Sequence, residues 1–422
     1  MAVIRPFRGI RYNPAVVGDF RQVVSPPYDV ISAEQQTELH LRSPYNAIHL
    51  DLNQNAERYT TAAQKFREWL DRGVLLRESA PALYFYTQEF TLKDGIRRRR
   101  TGVLAALRLE EFSSGIIRPH ERTFAGAKKD RLALLRSCQA HLSPIFCLYG
   151  RREWSVEQAA QAVLRASPLL TMTDELQVSH SLWKTTDPTL IAELATGLAQ
   201  ESLIIADGHH RYETALQYRH ERAAQGQTTG EEPFHYVLAY LTNAYDEGLV
   251  ILPTHRLLRD VTLANSRDLR TVLQRDFRVT LFSLHETTAF LTALHSPGSD
   301  RRIGCTLAGS SHHWLLSFDD RVTRSLPLSV PLRVLDVTVL HEVILPRFFG
   351  LEPELQKQKL SYTIDQDEAL RSVAGRQSQA AFLLNPTTFE QVRQVCEQGE
   401  TMSQKSTYFS PKLLTGLVFY QL

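Results

Sequence analysis

The stretch ESLIIADGHHRYETALQYR, residues 201–219, constrains the fold more than any other part of the chain. Leu203, Ile204, Ile205 and Ala206 make a short continuous apolar run, the pattern of a strand buried on both faces. Past Asp207 and Gly208, the residues Tyr212, Ala215, Leu216 and Arg219 fall at helical spacing, so a helix opens at the turn and runs to the Gly226 region. The motif therefore sits where a buried strand hands over to a helix, and a mixed α+β architecture is expected.

The rest of the chain reads the same way. PALYFYTQEF (81–90) and RRRRTGVLAALRL (97–109) are β-rich and separated by the turn-forming KDG, which predicts a hairpin with the arginine cluster on its exposed start. Val23 and Val24 are expected to end a strand; Pro26 and Pro27 force extended backbone, and Ser32 caps a helix from Ala33. GIIRPHERT supplies a short strand and a polar loop, followed by a helix with Leu132 and Leu135 on one face. HLSPIFCLYG is a further strand, EQAAQAVLRASP is helical up to Pro168, and Asp187 and Pro188 open another helix. HYVLAYLTNAYDEGLVILPTHRLL reads as two strands joined by an Asp-Glu-Gly turn. No repeat of fixed period is present.

Length and charge narrow the function. The 422 residues suffice for two or three compact domains, and Lys+Arg 48 against Asp+Glu 46 leaves no global field toward nucleic acid or an anionic membrane. No run of about 18 apolar residues occurs and the N-terminus lacks a continuous apolar leader, so an untargeted cytoplasmic protein is expected. Cys138, Cys147, Cys305 and Cys396 form no C-x-x-C pair and read as core thiols in a reducing compartment.

A strand delivering Asp-Gly into a helix start suits an anion. Helical N–H groups and the positive end of the dipole point outward there, and a glycine lets phosphate approach closely. Arg211 could clamp that phosphate, His209 and His210 add donors, and Asp207 could hold Mg²⁺ or orient a hydroxyl. The plain alternative is that Asp207 only caps the helix and the histidines are solvated. Other chemistries lack their patterns: H-E-x-x-H fails because Phe124 follows His120-Glu121 at the required position, and neither a P-loop nor a G-x-S-x-G elbow occurs. His312 and His313 are adjacent on a strand start and point to opposite faces.

Further polar clusters stay open between two readings. KSTYFSPK, with Lys405, Ser406, Thr407, Tyr408 and Lys412, is either a second anion clamp or substrate contact, or a packed terminal strand with surface lysines. Tyr28 and Asp29 of PPYD either line the site or belong to a rigid docking turn. His255 and Arg256 of LPTHR are a pocket rim or a buried ion pair. Trp183 could stack a base or sit in the core.

DGHHRYETA resembles the signature turn of the ParB/sulfiredoxin superfamily, and IIRPHERT resembles that superfamily's earlier strand ending in Pro-His-Glu, as in its free-serine-kinase branch. Over nearly its full length, from SPPYDVIS through HERT, KKDR, ADGHHRYETAL, LPTHR and KSTYFSPK, the chain resembles the family called domain of unknown function 1015. The resemblance implies an N-terminal α/β region over 1–99, a nucleotide-binding domain with a helical insertion over 100–255 and a C-terminal mixed domain over 256–422. It implies a site where Glu121 meets the turn: Glu121 and Asp207 catalytic with His120, and Gly208, His209, His210 and Arg211 around the donor phosphate. Glu121 would be the base, against the alternative of a rim glutamate paired with Arg122 or Arg118. With His209 after Gly208, the sulfiredoxin nucleophile is missing.

The function expected is an Mg²⁺-dependent small-molecule kinase using ATP or ADP on free serine or a similar hydroxyl metabolite. The alternatives are a ParB-like nucleotide-binding regulator, or a phosphohydrolase or nuclease with the same site. An amino-acid-like substrate is the expected partner, with neither membrane nor nucleic acid, and a homo-oligomer is compatible with the sequence.

Overall fold

The computed structural model describes residues 1–123, 125–226, 228–263, 266–298 and 300–422. The chain forms two compact units, one of residues 1–119, 123–250 and 409–422, the other of 120–122 and 251–408. Both mix helices with sheet, as the alternating periodicities predict.

The first unit is built on a nine-stranded mixed sheet. Its center is the strand Arg97–Arg108, which pairs antiparallel with Leu83–Thr91 on one side and with Tyr236–Asn243 on the other. Ile145–Tyr149 then runs parallel to Tyr236–Asn243, and Leu203–Asp207 antiparallel to Ile145–Tyr149, with Ile117–Pro119 parallel at the edge. Leu203, Ile205, Val103, Ala105, Ile145 and Val237 are fully buried in one core. Burying this much aliphatic surface, at about 25 cal/mol per Å², is what holds the strand before the Asp-Gly turn in place.

Several expectations are met residue by residue. The 81–109 hairpin forms, Ser32 makes a capping box with Gln35, and Asp187 accepts from Thr189 N (2.9 Å) with Pro188 in the first turn. Leu132 and Leu135 are buried on the helix Ala125–Cys138. All four cysteines are free and buried. Trp183 is core, its Nε1 donating to Ala166 O (2.9 Å).

In the first unit three expectations are corrected. The boundary placed at residue 99 falls inside the strand Arg97–Arg108, and because that strand bonds Leu83–Thr91 along its length, the N-terminal and central regions share one sheet. The arginine run does not lie wholly on an exposed start: Arg97 and Arg99 are exposed, whereas Arg100 is fully buried and donates to Gln88 Oε1, Pro411 O (2.6 Å) and Ser410 O (3.1 Å). Strand alternation sends every second arginine inward, and the carbonyls there take its donors. No strand ends at Val23 and Val24, where a short 3₁₀ turn, Phe20–Gln22, and a single bridge from Ser25 to Thr415 stand instead.

The second unit carries a six-stranded antiparallel sheet that includes His255–Leu258, Arg301–Leu307, His312–Phe318 and Ala380–Leu383. The expected pair of strands over 235–258 is thus not a hairpin: Tyr236–Asn243 belongs to the first sheet and His255–Leu258 to the second. The helices Thr287–His295 and Gln366–Ala374 cover one face through Phe290, Leu294, Ala369 and Val373. At Gly304 a Cβ would stand 2.7 Å from Phe290 Cζ, so only glycine admits that ring. His313 is buried and His312 half-exposed, on opposite faces as predicted.

Candidate functional site

In the first unit the strand Leu203–Asp207 ends at Gly208, which takes φ +90° and ψ 26° and serves as N-cap of the helix His209–Ala224. Glycine suits the left-handed backbone, and a Cβ here would also press on Arg211 Nε at 3.0 Å. The helix closes with Tyr212 N donating to Gly208 O (2.9 Å). Its first-turn N–H groups lie outside the intrahelical ladder and give the turn its positive end.

Asp207 does not cap this helix. Its Oδ2 accepts from Arg211 Nη2 at 2.6 Å, and its Oδ1 accepts from Lys412 Nζ. Burial opposes ionization, but Lys412 and Arg211, with a smaller contribution from His209, hold the carboxyl well below the usual carboxylate range. The group is an ionized carboxylate clamped by two cations, Lys412 and Arg211, which outnumber it. Arg211 Nη1 also donates to Ser143 Oγ (3.0 Å) and Pro144 O, while its Nε is buried without an acceptor among the described residues. His209 is buried and His210 half-buried.

Tyr28 lies against the same unit's Arg131, whose guanidinium stands 4.2 Å from its ring and pairs with buried Asp51. Burial raises the Tyr28 phenol, and the Arg211 field acts against that rise. Asp29 beside it is exposed. The alternatives left open for PPYD divide accordingly, with Tyr28 packed inward and Asp29 facing solvent.

Glu121 belongs to the second unit with His120 and Arg122. Its Oε1 accepts from Ser406 N (3.0 Å), Thr407 N (3.2 Å) and Thr407 Oγ1 (3.3 Å), so the KSTY loop is wrapped around this carboxylate. His120 is fully buried, its Nε2 2.7 Å from Thr407 Oγ1, and its carbonyl accepts from Met402 N (2.8 Å). Lys405 takes φ +56°, and its carbonyl accepts from Arg256 Nη2 (3.0 Å). Tyr408 is half-buried at the end of this loop. The KSTYFSPK segment is therefore divided: 405–408 sit with Glu121 in the second unit, whereas Lys412 sits with Asp207 in the first.

His255 and Arg256 are both buried on the strand His255–Leu258. His255 Nδ1 accepts from Leu384 N (3.2 Å), and burial, aided by Arg256, lowers its pKa to about 4. Of the two readings open for LPTHR, no buried ion pair forms among the described residues; Arg256 instead lines a pocket.

The chemistry available follows from these donors. The strand-to-helix turn offers cations and helical N–H groups to an anion, and Glu121 offers a carboxylate oriented by backbone N–H groups. A protein-held Mg²⁺ does not fit Asp207, because both of its oxygens are spent on cations, and among the described residues no group of three His, Cys, Asp or Glu could hold a metal. Sequence reasoning missed Ser143 and the Asp51–Arg131 pair. HLSPIF, read only as a strand, carried the signal for Ser143, a hydroxyl just before Pro144 at the strand entry.

No curated protein matches the chain. Among solved structures, a conserved hypothetical protein from Pyrococcus furiosus is 11% identical, with 74% of this chain and 92% of that one covered at a TM-score of 0.35. A free serine kinase in complex with AMP is 10% identical, covering 73% and 86% at 0.36. SbnI with a C-terminal truncation, from Staphylococcus aureus, is 11% identical, covering 74% and 85% at 0.35. These scores are too low for the likenesses to bear on the site. The family model described as "Protein of unknown function (DUF1015)" matches residues 4–338, and the chain belongs to that family.

Proposed function

We propose that the protein is a phosphotransferase that moves a phosphoryl group from ATP or ADP to the hydroxyl of a small amino-acid-like metabolite, free serine being the first candidate. The observation that carries this reading is the Asp207–Gly208 turn, where a buried strand enters a 16-residue helix and two side-chain cations converge on one carboxylate. Such a turn receives phosphate oxygens on N–H groups and cations together. The ParB/sulfiredoxin-like label for this strand, turn and helix belongs to the same reading.

In this reading the donor phosphates are held by the Gly208–Arg211 backbone, with His209, His210, Arg211 and Lys412 offsetting their charge. Glu121 takes the proton from the acceptor hydroxyl as its oxygen bonds to phosphorus and the bond to the nucleotide's leaving phosphate breaks. His120 and Thr407 position Glu121. A divalent cation, when present, would arrive on the nucleotide's phosphates, since Asp207 is already occupied; its chemistry is to neutralize phosphate charge.

Phosphorus NMR of the protein with Mg²⁺, ATP, ADP and free serine tests the proposal. A new phosphomonoester line supports transfer to the metabolite. Release of inorganic phosphate alone would replace this reading with hydrolysis, and perturbed nucleotide lines without turnover would replace it with a nucleotide-binding switch.

A further inference from the structure

The second unit contains a polar pocket of about 240 Å³, lined by Arg256, Arg302, His295, Asp336, Asn385 and Ser406 among others. It is smaller than the roughly 300–1,000 Å³ of sites for drug-sized ligands and suits a metabolite of a few heavy atoms. Its charges do not balance internally. Arg301 and Asp300 on the wall are spent on Asp320 and Arg278. Among the described residues Arg256, Arg302 and Asp336 have no such partners, although Arg302 is taken up by the carbonyls of Ala293 (3.0 Å) and Ser296 (2.6 Å).

Arg256 is 1% exposed, yet its acceptors are all uncharged: Thr254 O, Lys405 O (3.0 Å) and His341 Nε2 (3.2 Å). His341 stays neutral, because burial and Arg256 push its pKa down to about 3. Burial lowers Arg256 to about 10 against the opposing fields of Tyr362, whose ring center lies 5.5 Å from the guanidinium carbon, and of Glu121, which makes no ion pair with it. A guanidinium carries five N–H donors in a planar fork suited to a carboxylate, and the three bonds here leave part of that fork for a ligand. Burying a cation that has an aromatic ring and neutral acceptors but no carboxylate is costly, and an anionic ligand offsets that cost.

Asp336 is the counterpart. Asp336 lines the same pocket, its carboxyl has no hydrogen bond or ion pair to any described residue, and burial raises its pKa to about 7 against the pull of Arg301. A carboxylate in this condition lacks a cation. One small ligand that satisfies both walls carries a carboxylate and an ammonium together.

We infer that this pocket binds an α-amino acid as its zwitterion, with the carboxylate on the Arg256 guanidinium and the ammonium on the Asp336 carboxylate. Ser406 lines the pocket and donates its backbone N–H to Glu121 (3.0 Å), and an amino acid bound here is the substrate class that the proposed transfer names. Its use as a substrate rests on the phosphotransferase reading; the binding does not.

The test uses the full chain without nucleotide. Thermal shift across the proteinogenic amino acids at millimolar concentration finds the tightest ligand. Calorimetry then compares it with its analogue lacking the amine and its analogue lacking the carboxylate; for serine these are 3-hydroxypropionate and ethanolamine. Each analogue is expected to bind about tenfold more weakly or worse, since a charged hydrogen bond is lost. Asp336→Asn, which preserves shape, should bind the amino acid no better than the amine-free analogue, and Arg256→Gln should lose it. Because Arg256→Gln also cuts ties to Thr254 and Lys405, Asp336→Asn is the deciding variant. No amino acid binding at millimolar concentration, or an undiminished amine preference in Asp336→Asn, overturns the inference. Phosphoester formation with that preference undiminished would sink the pocket and spare the transfer; binding without any transfer would do the reverse.

Discussion

Arg211 Nη2 stands 2.6 Å from Asp207 Oδ2, four residues back across the first helical turn, and this contact with the Lys412 contact opposite keeps Asp207 ionized although it is only 13% exposed. The pair converts a turn that could have been an ordinary cap into a charged, oriented site.

Asp207→Asn should destabilize the first unit at neutral pH by about 3–5 kcal/mol, the cost of leaving buried cations without their partner. The sign with pH follows from the lowered carboxyl: the stabilization is complete above the unfolded value of about 3.9 and fades as pH falls toward the folded value. Urea unfolding of wild type and variant at pH 7 and near pH 3 measures this. A gap that fails to narrow in acid would mean that charge is not the cause.

Arg211→Ala should weaken ADP binding about tenfold or more if the guanidinium meets a phosphate. Because Arg211 also holds Ser143 and Pro144, circular dichroism must accompany the calorimetry. A folded variant with unaltered ADP affinity would remove Arg211 from phosphate binding.

Glu121→Gln keeps an acceptor oxygen for Ser406 N and Thr407 N but cannot take a proton. Turnover should fall by about 10²–10⁴-fold with nucleotide affinity and unfolding midpoint near wild type. Turnover at the wild-type rate would leave Glu121 with only its loop-holding role.

Three buried histidines make the fold acid-sensitive. Burial is the leading cause that lowers His141 and His255 to about 4 and His341 to about 3. The unfolded chain therefore binds protons first as pH drops below about 6.5, and each histidine costs about 1.4 kcal/mol per pH unit until its folded value is reached. Denaturation at pH 7 and 5.5 should show stability falling, and His341→Gln should flatten the slope. An equal slope in that variant would assign the acid sensitivity elsewhere.

Much of the local structure was legible. The buried run 203–206, the hairpin over 81–109, the Ser32 capping box and the Asp187-Pro188 start depend on neighbors a few residues apart, and periodicity reports those. Less legible were features whose cause lies far along the chain. Nothing near residue 100 announces that Pro411 and Ser410 carbonyls will accept from its guanidinium, and nothing near Asp207 announces Lys412. Asp336 drew no notice at all, because an isolated aspartate before an apolar stretch carries no pattern.

By itself the sequence determined that a buried strand hands over to a helix at Asp207–Gly208, where the 81–109 hairpin forms, which cysteines go inside and which family the motifs resemble. Only the tertiary structure decided that residues 1–99 share a sheet with the residues after them, that Asp207 is ion-paired instead of capping, and that Arg256 and Asp336 line one pocket. The reason is physical. Backbone periodicity is set by steric and hydrogen-bond constraints over a few residues, whereas charge compensation and burial depend on distances between side chains hundreds of residues apart, which exist only once the sheets have closed their cores.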